Sequence, residues 1–504
     1  MHVLSTSQLR HPSQSRSVHS CGAIRKLSHA ISSKSGHYGI GSLFTYRTYF
    51  TGITHTSEEF SFLPSRVAGI IPENELSVAM AETQSYLNEH QSSVDWRGLS
   101  RANAFAICAA KQALVQAGWK PCFDPRLRAV SNRAGVHIGI GLEGVHEIVR
   151  TGEGVRARRY KDIGPYALTR ILTNMPAGAI SRLWGLRGPC LSLGTACATG
   201  LHSIGDAYRI IQNGEADFML AGACEATVEP LIVGAFCRIR ALCSKFNDNP
   251  TEASRPFDEL HAGFVISEGA GAVVLQAWPP PPEIAAMCEH VSTPIAEVIG
   301  FGRSADAYSL VSPEPTGDGA YRSMQAALMD AKLDSLDQLD HINCHATSTP
   351  LGDTIELAAV SRLLVDYTGK RRADTLPPIV INSIKGHLGH LLGGAGAVES
   401  IYTALAVNRG LIAGNRNLHN PIGFSQIESI LKGKEDNGQF VPQVAANASQ
   451  YVKVLERQTI LPRHDVTNVH FPDRTSSNKR RIALKNSFGF GGTNGSLVFA
   501  EWKE

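Results

Sequence analysis

The sequence predicts an α/β fold in which helices cover a largely parallel sheet. From about residue 95 onward, helical patterns alternate with short runs of β-forming residues, and glycines separate most of these runs. Such alternation is typical of successive βαβ units. The chain has 504 residues, of which 43% are hydrophobic and 18% are charged. This length allows one large core or two fused ones, because single cores stop growing near about 250–300 residues.

The first clear elements lead into a βαβ unit. Apolar residues recur at helical spacing from residue 101 to residue 118, where Gly118 is a stop signal. Residues 135–141 form a short apolar run that is typical of a buried strand. The βαβ unit comprises a strand over 189–193, a helix over 198–213 and a strand over 217–223.

A second half with a comparable rhythm begins after a proline-rich segment, residues 279–282. A strand is predicted over 295–301 and a helix over 318–332. Residues 420–480 are polar and irregular, so we interpret much of them as an insertion with little core of its own. The two predicted halves therefore comprise residues 58–295 and 296–504.

Residues 1–57 are predicted to be a targeting or disordered segment. Six Lys or Arg residues and no acidic residue precede residue 58, and residues 1–50 contain eleven serines. This composition is typical of an organelle transit peptide, here mitochondrial, although plastid import and a disordered basic tail share it. The remaining chain has 42 basic and 45 acidic residues, which excludes a strongly cationic nucleic-acid binder.

Neither membrane insertion nor a disulfide framework is predicted. No run of 18 apolar residues free of charge occurs, so no segment is expected to span a bilayer. The ten cysteines never form a CxxC pair and are sparse. This usage favours a reducing compartment and at most one or two functional thiols.

Cys197 is the best candidate for a nucleophile. It lies in the segment GTACATG, where a predicted strand runs into a helix. The dipole and the free N–H groups of a helix N-terminus lower the pKa of a thiol and stabilise the thiolate. The alternative is a buried structural thiol, because free cysteines are among the most buried residues.

Two histidines and a glycine-rich loop could act beside this thiol. His345 follows the strand-like HINC, and His390 follows the strand PPIVINSIK, which ends at Lys385. Imidazoles at strand ends can donate to or accept from a reacting carbonyl, although a single histidine is more often a core residue. The glycines of the loop 488–492 can aim N–H groups at an oxyanion, or form a plain tight connection.

Two further patterns have competing interpretations. His341 with His345, and His387 with His390, have spacings found in zinc sites, but neither pair carries the HExxH glutamate. Residues 139–144 match GxGxxG, but no strand ending in an acidic residue follows at about 20 residues. Neither metal binding nor dinucleotide binding is therefore expected.

Taken together, these segments resemble the β-ketoacyl synthases, the elongating 3-oxoacyl-acyl carrier protein synthases of type II fatty-acid synthesis. The resemblance covers about residues 64–504 and begins with PSRVAGIIP. Its other matching stretches are RGPCLSLGTACATG, ASRPFDELHAGFVISEGAGAVVL, HATSTPLGD, GHLLGGAGAVES and NSFGFGGTNGSLVF. It implies a thiolase-like fold, in which two similar βαβ-rich halves stack in a layered αβαβα arrangement. It also implies a homodimer and a reaction that needs no organic cofactor.

The resemblance implies a decarboxylative condensation with three catalytic residues. Cys197 is expected to take the acyl chain from an acyl-carrier thioester. His345 and His390 are expected to bind the malonyl thioester, promote loss of CO2 and stabilise the enolate. The carbanion then attacks the acyl-Cys197 thioester, which lengthens the chain by one two-carbon unit.

Supporting roles follow from the same resemblance. Lys385 is expected to order the site, with Glu399 as its charge partner, because a buried ammonium without an anion would be costly. Phe490 resembles the gate residue of the family. The backbone N–H groups of Cys197 and Phe490 are expected to form the oxyanion hole.

The acyl carrier protein is the implied partner. In this family, basic residues around the tunnel mouth meet an acidic helix of the carrier. The residues at similar positions here are Arg97, Arg101, Lys161 and Arg240. Each could instead be a simple solvated charge.

Two features depart from the family. Ala346 follows His345 where the family has glycine, and the extra methyl group is expected to alter the pocket without preventing catalysis. The basic, valine-rich strand with which the family opens is not recognisable. Because residues 40–60 keep only a trace of it, TGIT, a strand of a core sheet is expected to be missing.

Two rival functions remain to be distinguished. A thiolase that uses coenzyme A esters needs a second catalytic cysteine near the C-terminal glycine loop, and NSFGFGGTN has none. A non-catalytic partner subunit would lose the nucleophile, whereas Cys197 is present together with both histidines. The missing first strand is the observation that favours the partner subunit.

Overall fold

The computed structural model describes most of the chain, namely residues 39–45, 52–367, 378–423, 425, 427–428, 459–460, 469–471 and 479–503. Within these ranges the helices are α1 (Glu73–Glu89), α2 (Arg101–Gln116), α3 (Arg128–Ser131), α4 (Val145–Arg156), α5 (Ala167–Ile171), α6 (Met175–Trp184), α7 (Thr199–Gln212), α8 (Pro230–Arg238), α9 (Pro282–Met287), α10 (Asp318–Asp330), α11 (Pro350–Asp366), α12 (Lys385–Leu388) and α13 (Ala395–Arg409). The strands are β1 (Gly39–Thr45), β2 (Gly52–His55), β3 (Val67–Ile70), β4 (Ala134–Ile140), β5 (Cys190–Leu191), β6 (Phe218–Glu225), β7 (Gly269–Trp278), β8 (Ala296–Ala305), β9 (His341–Asn343), β10 (Val380–Asn382), β11 (Leu411–Ile412), β12 (Thr459–Ile460), β13 (Val469–His470), β14 (Ile482–Gly489) and β15 (Thr493–Glu501). Every regular element predicted from the sequence is present, with ends that differ by a few residues.

The main sheet is mixed, so the prediction of a largely parallel sheet was wrong. Its described strands follow the order β12-β10-β9-β14-β15-β8-β1-β7-β6-β4-β5. The predicted βαβ unit is confirmed, because β5 and β6 both pair in parallel with β4. Antiparallel pairing enters where β7 returns beside β6 and where the short glycine turn makes β14 and β15 a hairpin. Such a turn can join only antiparallel neighbours.

The strand that was expected to be missing is present. Gly39–Thr45 forms β1 in the middle of the sheet, antiparallel to β7 over most of its length and to β8 at Ser42 and Leu43. The next strand, β2, pairs with β3. Residues 1–57 are therefore not wholly a targeting or disordered segment. The sequence signal for this strand was weak because GIGSLFT has few β-branched residues. In the fold, β7 and β8 provide hydrogen-bonding partners on both sides, which compensates for the weak local preference.

Helices and sheet alternate as the layered, thiolase-like arrangement requires. α1, α2 and α6 share one hydrophobic core with β4, β6 and β7. α7 and α13 share a second core with strands of both halves, and α10 and α11 form a third core against β9, β14 and β15. The middle layer is therefore the helix pair α7 and α13, and its ends position the candidate catalytic residues.

Two glycines let the middle helices approach each other closely. A Cβ atom on Gly200 of α7 would lie 2.4 Å from the backbone N of Ala397, and one on Gly396 of α13 would lie 2.5 Å from the backbone N of Leu201. Both distances are far below van der Waals contact. The small residues of CATG and GAGA therefore set the spacing of the two helices.

Substituting Gly200 tests this spacing. Gly200→Ala is expected to lower the free energy of unfolding by about 1–3 kcal/mol, because the added methyl group must displace backbone. Urea unfolding followed by circular dichroism measures the change. Gly178→Ala is the matched control, since a Cβ atom there meets nothing within 4 Å in another helix, α6. A similar loss in both variants would show that helix packing is not the cause.

The predicted insertion is only partly described. Thr459–Ile460 pairs with β10 at one edge of the main sheet, and Val469–His470 pairs with β11. Ile422, Ile427 and Phe471 are buried in the hydrophobic cores of the main fold, so these parts of the segment pack against it. Most of residues 429–478 lie outside the described residues. In the part of the chain that the structure describes, no helix is both long and apolar enough to cross a bilayer.

Candidate active site

One cavity brings the predicted catalytic residues together. Cys197, His345 and His390 all line a cavity of about 380 Å³, although they lie up to 193 residues apart in the chain. Phe490 and Arg240 line the same cavity. Each of the three catalytic candidates lies at a junction, after a strand or before a helix. The fold brings these junctions together in one place.

A tight backbone turn presents Cys197. Ala196, just before it, has a left-handed φ of 47°, which is uncommon for a residue with a side chain. Thr199 stabilises this turn: its Oγ1 accepts the N–H of Thr195 at 2.8 Å and donates to the carbonyl of Ala196 at 2.7 Å. The turn thus places the thiol at the start of α7 and keeps its backbone from relaxing.

The protonation of Cys197 differs from the sequence prediction. Burial raises the pKa of its thiol to about 12, and the carboxylates of Glu225 and Glu399 act in the same direction. The ammonium of Lys385 and the backbone N–H of Phe490, which donates to the sulfur, oppose this rise only in part. The predicted lowering was wrong because loss of solvent is the largest influence on this pKa, and it raises the pKa.

Alkylation measures this pKa directly. With a raised pKa, the thiol remains protonated at neutral pH, so only a small and pH-dependent thiolate fraction reacts. We expect the rate of Cys197 alkylation by iodoacetamide to rise by about tenfold per pH unit from pH 6 to pH 10 without a plateau. Mass spectrometry of the Cys197 peptide provides the rate. A plateau below pH 9 would contradict the raised pKa.

The two histidines are neutral. Burial and the ammonium of Lys385 lower the pKa of both rings well below the ordinary value of 6.5. Their ring centroids lie 5.2 Å apart at an interplanar angle of 81°. The Nζ atom of Lys385 lies 3.5 Å from Nδ1 of His345, and an ammonium can only donate. Nδ1 of His345 is therefore an acceptor, which leaves its proton on Nε2.

A buried ionic cluster lies behind the histidines. Lys385 contacts Glu399 as predicted, with Nζ 2.5 Å from Oε1. A second lysine, Lys485, approaches the other oxygen of Glu399 at 2.7 Å and is completely buried. Sequence reasoning missed Lys485, although a lysine within the apolar strand sequence IALKNSF was a signal.

Glu356 is a second residue that sequence reasoning missed. Its two oxygens accept the backbone N–H groups of His345 and Ala346 at 2.8 and 2.7 Å. The carboxylate thus holds the turn that carries the histidine. Ala346 is buried in this turn and lines the cavity, so its methyl group does shape the pocket.

The glycine loop lies directly over the nucleophile. A Cβ atom on Gly489 would lie 2.5 Å from the carbonyl of Thr195, so only glycine allows the loop to approach. Gly491 and Gly492 have positive φ values of 86° and 70°. This geometry aims the N–H of Phe490 at Cys197, while the ring of Phe490 lies 6.1 Å from that of Phe236.

The four predicted docking residues do not form one group. Among the described residues, Arg240 is exposed and lines the cavity, whereas Arg97, Arg101 and Lys161 do not line it. Arg101 forms ion pairs with the buried Glu268 and with Glu73, so it also links α2 to other parts of the fold. Arg97 pairs with Asp95, and Lys161 is exposed.

The competing patterns have structural explanations. The glycines of the GxGxxG segment allow close packing: Gly139 faces Thr199 of α7, and Gly141 faces Glu225. His387 contacts the carbonyl of Gly414, and His341 contacts the side chain of Asn382. Within the described ranges no three His, Cys, Asp or Glu side chains cluster as metal ligands would.

Comparison with known proteins identifies the family. Residues 43–278 match the family described as "Beta-ketoacyl synthase, N-terminal domain", and residues 295–419 match the corresponding C-terminal domain. The 3-oxoacyl-[acyl-carrier-protein] synthase 2 of Rhizobium meliloti is 36% identical, over 89% of this chain and 91% of that protein. The mitochondrial 3-oxoacyl-[acyl-carrier-protein] synthase of Arabidopsis thaliana is 37% identical, over 79% of this chain and 74% of that protein.

Solved structures show the same fold. A β-ketoacyl synthase from Burkholderia phymatum aligns with a TM-score of 0.68 at 24% identity, over 92% of this chain and 100% of that one. The ishigamide ketosynthase/chain length factor aligns with a TM-score of 0.63 at 23% identity, over 92% and 100% of the two chains. With its thiolase-like layers and its relatives over most of its length, this chain belongs to the β-ketoacyl synthase family and is an acyl-transferring condensing enzyme.

Proposed function

We propose that the protein is a 3-oxoacyl-acyl carrier protein synthase of mitochondrial fatty-acid elongation, with Cys197 as its nucleophile and His345 and His390 as its decarboxylation pair. The observation that carries this assignment is the shared cavity of one thiol and two neutral imidazoles. A thiol can hold an acyl chain, and two neutral N–H donors can stabilise an enolate oxygen.

The first half-reaction acylates Cys197. The sulfur attacks the carbonyl carbon of an acyl-carrier thioester, while the developing oxyanion accepts the N–H of Phe490. The bond to the carrier sulfur then breaks, and the carrier thiolate takes up the proton lost by Cys197. The high pKa of the thiol suits this exchange, because the proton is released only when a leaving thiolate is present to accept it.

The second half-reaction uses the histidines. They donate N–H groups to the carbonyl oxygen of the malonyl thioester, and the bond to its carboxylate breaks. CO2 leaves, and the electron pair remains as an enolate that the two donors stabilise. The enolate carbon attacks the acyl-Cys197 carbonyl, the carbon–sulfur bond breaks, and the Cys197 thiolate leaves and takes up one proton from water.

The rival functions have lost their support. Among the described residues that line the cavity, Cys197 is the only cysteine, whereas a thiolase needs two. The partner-subunit hypothesis depended on the absence of the first strand, and β1 occupies that place. A condensing enzyme is therefore the function that fits the site best.

The names of the relatives support the proposed carrier partner and location, and a surface strand bears on the proposed homodimer. The relatives are named as acyl-carrier-protein synthases, and one of the two described above is named mitochondrial. A homodimer is part of this proposal, and the main sheet ends among the described residues at the exposed strand β5, where a second copy could pack.

A condensation assay tests the proposed function. Purified full-length protein is supplied with acyl-carrier and malonyl-carrier thioesters, and the products are followed by mass spectrometry. We expect a 3-oxoacyl product two carbons longer, with one CO2 released per turnover. A panel of acyl lengths then defines the substrate range. Folded protein that yields neither acyl-Cys197 nor elongated product would refute the proposal.

Charge reversal at Arg240 tests carrier docking. Arg240→Glu is expected to raise KM for the acyl-carrier substrate by about tenfold with little change in kcat, because a rim charge mainly governs encounter. The salt dependence of kcat/KM should weaken as well. Acyl-pantetheine, which lacks the carrier protein, is the control substrate and should react equally with both proteins. Equal losses on both substrates would show that Arg240 acts on the chemistry and not on docking.

A further inference from the structure

One buried lysine has no role in the chemistry described so far. Lys485 lies on β14, on the face toward the middle helix layer. Its side chain is completely buried. Its Nζ atom lies 2.7 Å from Oε2 of Glu399 and donates to the backbone carbonyl of Asn486. Both partners are acceptors, and the contact with Glu399 opposes the lowering of the Lys485 pKa that burial and the charge of Lys385 cause.

Lys485 and Lys385 hold Glu399 from opposite sides. Lys385 occupies Oε1 at 2.5 Å, and Lys485 occupies Oε2 at 2.7 Å. With both oxygens engaged, the carboxylate cannot rotate without losing one ion pair. Lys385 in turn lies 3.5 Å from Nδ1 of His345, so the orientation of Glu399 determines where this ammonium points.

A second set of contacts joins the Lys485 strand to the histidine turn. The side-chain amide of Asn486 donates to Oε1 of Glu356 at 3.2 Å. Glu356 also accepts the backbone N–H of His345. The cluster therefore contains two ammonium groups and two carboxylates, and one end of it carries a catalytic imidazole.

Stability alone does not explain such a cluster. Replacing buried ion pairs by apolar side chains of similar volume is often neutral or stabilising. Apolar residues surround this strand of the sheet, so an apolar side chain could take the place of Lys485. The electrostatic effect of Lys485 reaches the cavity, since its charge contributes to the lowered pKa of both His345 and His390. These observations favour a role in the reaction.

We propose that Lys485 is a positioning residue of the condensation: it holds Glu399 so that Lys385 stays aimed at His345. This inference rests on the proposed function, because it assigns Lys485 to the histidine-dependent half-reaction. Loss of Lys485 slows malonyl decarboxylation and condensation and leaves acylation of Cys197 nearly unchanged.

The experiment compares Lys485→Met and Lys485→Ala with wild type and with Ser496→Ala. The control removes a buried hydroxyl that donates to the side chain of Asn486, without removing a charge. Acylation is measured from the mass of acyl-Cys197 and the second step from CO2 release. Thermal melting reports folding. Methylammonium chloride is then added to Lys485→Ala, because the vacated space is lined by the carboxylate and carbonyl that held the lost ammonium.

We expect Lys485→Met to lower kcat for CO2 release about 30-fold or more, with KM for malonyl-carrier and the acylation rate changed less than threefold. Methylammonium should restore at least a fifth of the activity of Lys485→Ala without changing its melting temperature, and Ser496→Ala should stay within threefold of wild type. Equal losses in both half-reactions, full activity in Lys485→Met, or failure of both lysine variants to fold would overturn the proposal. Inactive wild type would instead refute the proposed function.

Discussion

Cys197→Ala is expected to abolish condensation, with a loss of about 10⁴-fold or more. Without the thiol no acyl-enzyme can form, and none of the other described residues that line the cavity is a cysteine. Decarboxylation of malonyl-carrier should continue at a slow rate, because His345 and His390 are untouched. Product formation and CO2 release, measured in parallel, separate the two effects.

Cys237→Ala is the matched control for this variant. Cys237 is also half-buried and belongs to the same small hydrophobic cluster as Cys197, but it does not line the cavity. It should retain wild-type condensation within about threefold. A Cys197→Ala protein that keeps a tenth of its activity, or an equal loss in the control, would show that the nucleophile has been assigned wrongly.

The second large effect is expected at Glu399. Glu399→Ala leaves the ammonium groups of Lys385 and Lys485 buried without the anion that both contact. Breaking a buried pair from one side costs about 3–5 kcal/mol, because the remaining charge is uncompensated. We expect a loss of this size in the free energy of unfolding, measured in urea, together with loss of condensation as Lys385 moves away from His345.

Glu297→Ala serves as the comparison for Glu399→Ala. Glu297 is equally buried, but its partner Arg480 is about one-third exposed and can be solvated when the carboxylate is removed. This variant should lose only about 1 kcal/mol and remain active. If the two variants lose the same free energy of unfolding, the contacts with Lys385 and Lys485 are not the cause of the loss at Glu399.

The candidate site was largely predictable because its signals are local. GTACATG places a cysteine between a strand and a helix, and that junction is formed by the turn at Ala196 and by the hydroxyl of Thr199. The glycines of NSFGFGG predict a close backbone approach, and Gly489 indeed lies against the carbonyl of Thr195. Short motifs of this kind determine their own backbone conformation, so the sequence shows them directly.

The errors concern properties that depend on distant residues. The helix start beside Cys197 predicts a lowered thiol pKa, but burial raises it to about 12. The ion pair of Arg101 with Glu268, 167 residues away in the chain, was not predicted. Strand β1 has a weak sequence signal and is held in place by the strands on either side.

The sequence by itself determined the α/β class, the family and the identity of the cysteine and the two histidines, because these follow from local patterns and from motifs in a specific order. The tertiary structure alone decided which groups share the buried space behind them. Lys485 and Glu399 are 86 residues apart, yet they meet at 2.7 Å. Burial and long-range charge contacts set protonation and orientation, and neither can be read from neighbouring residues in the chain.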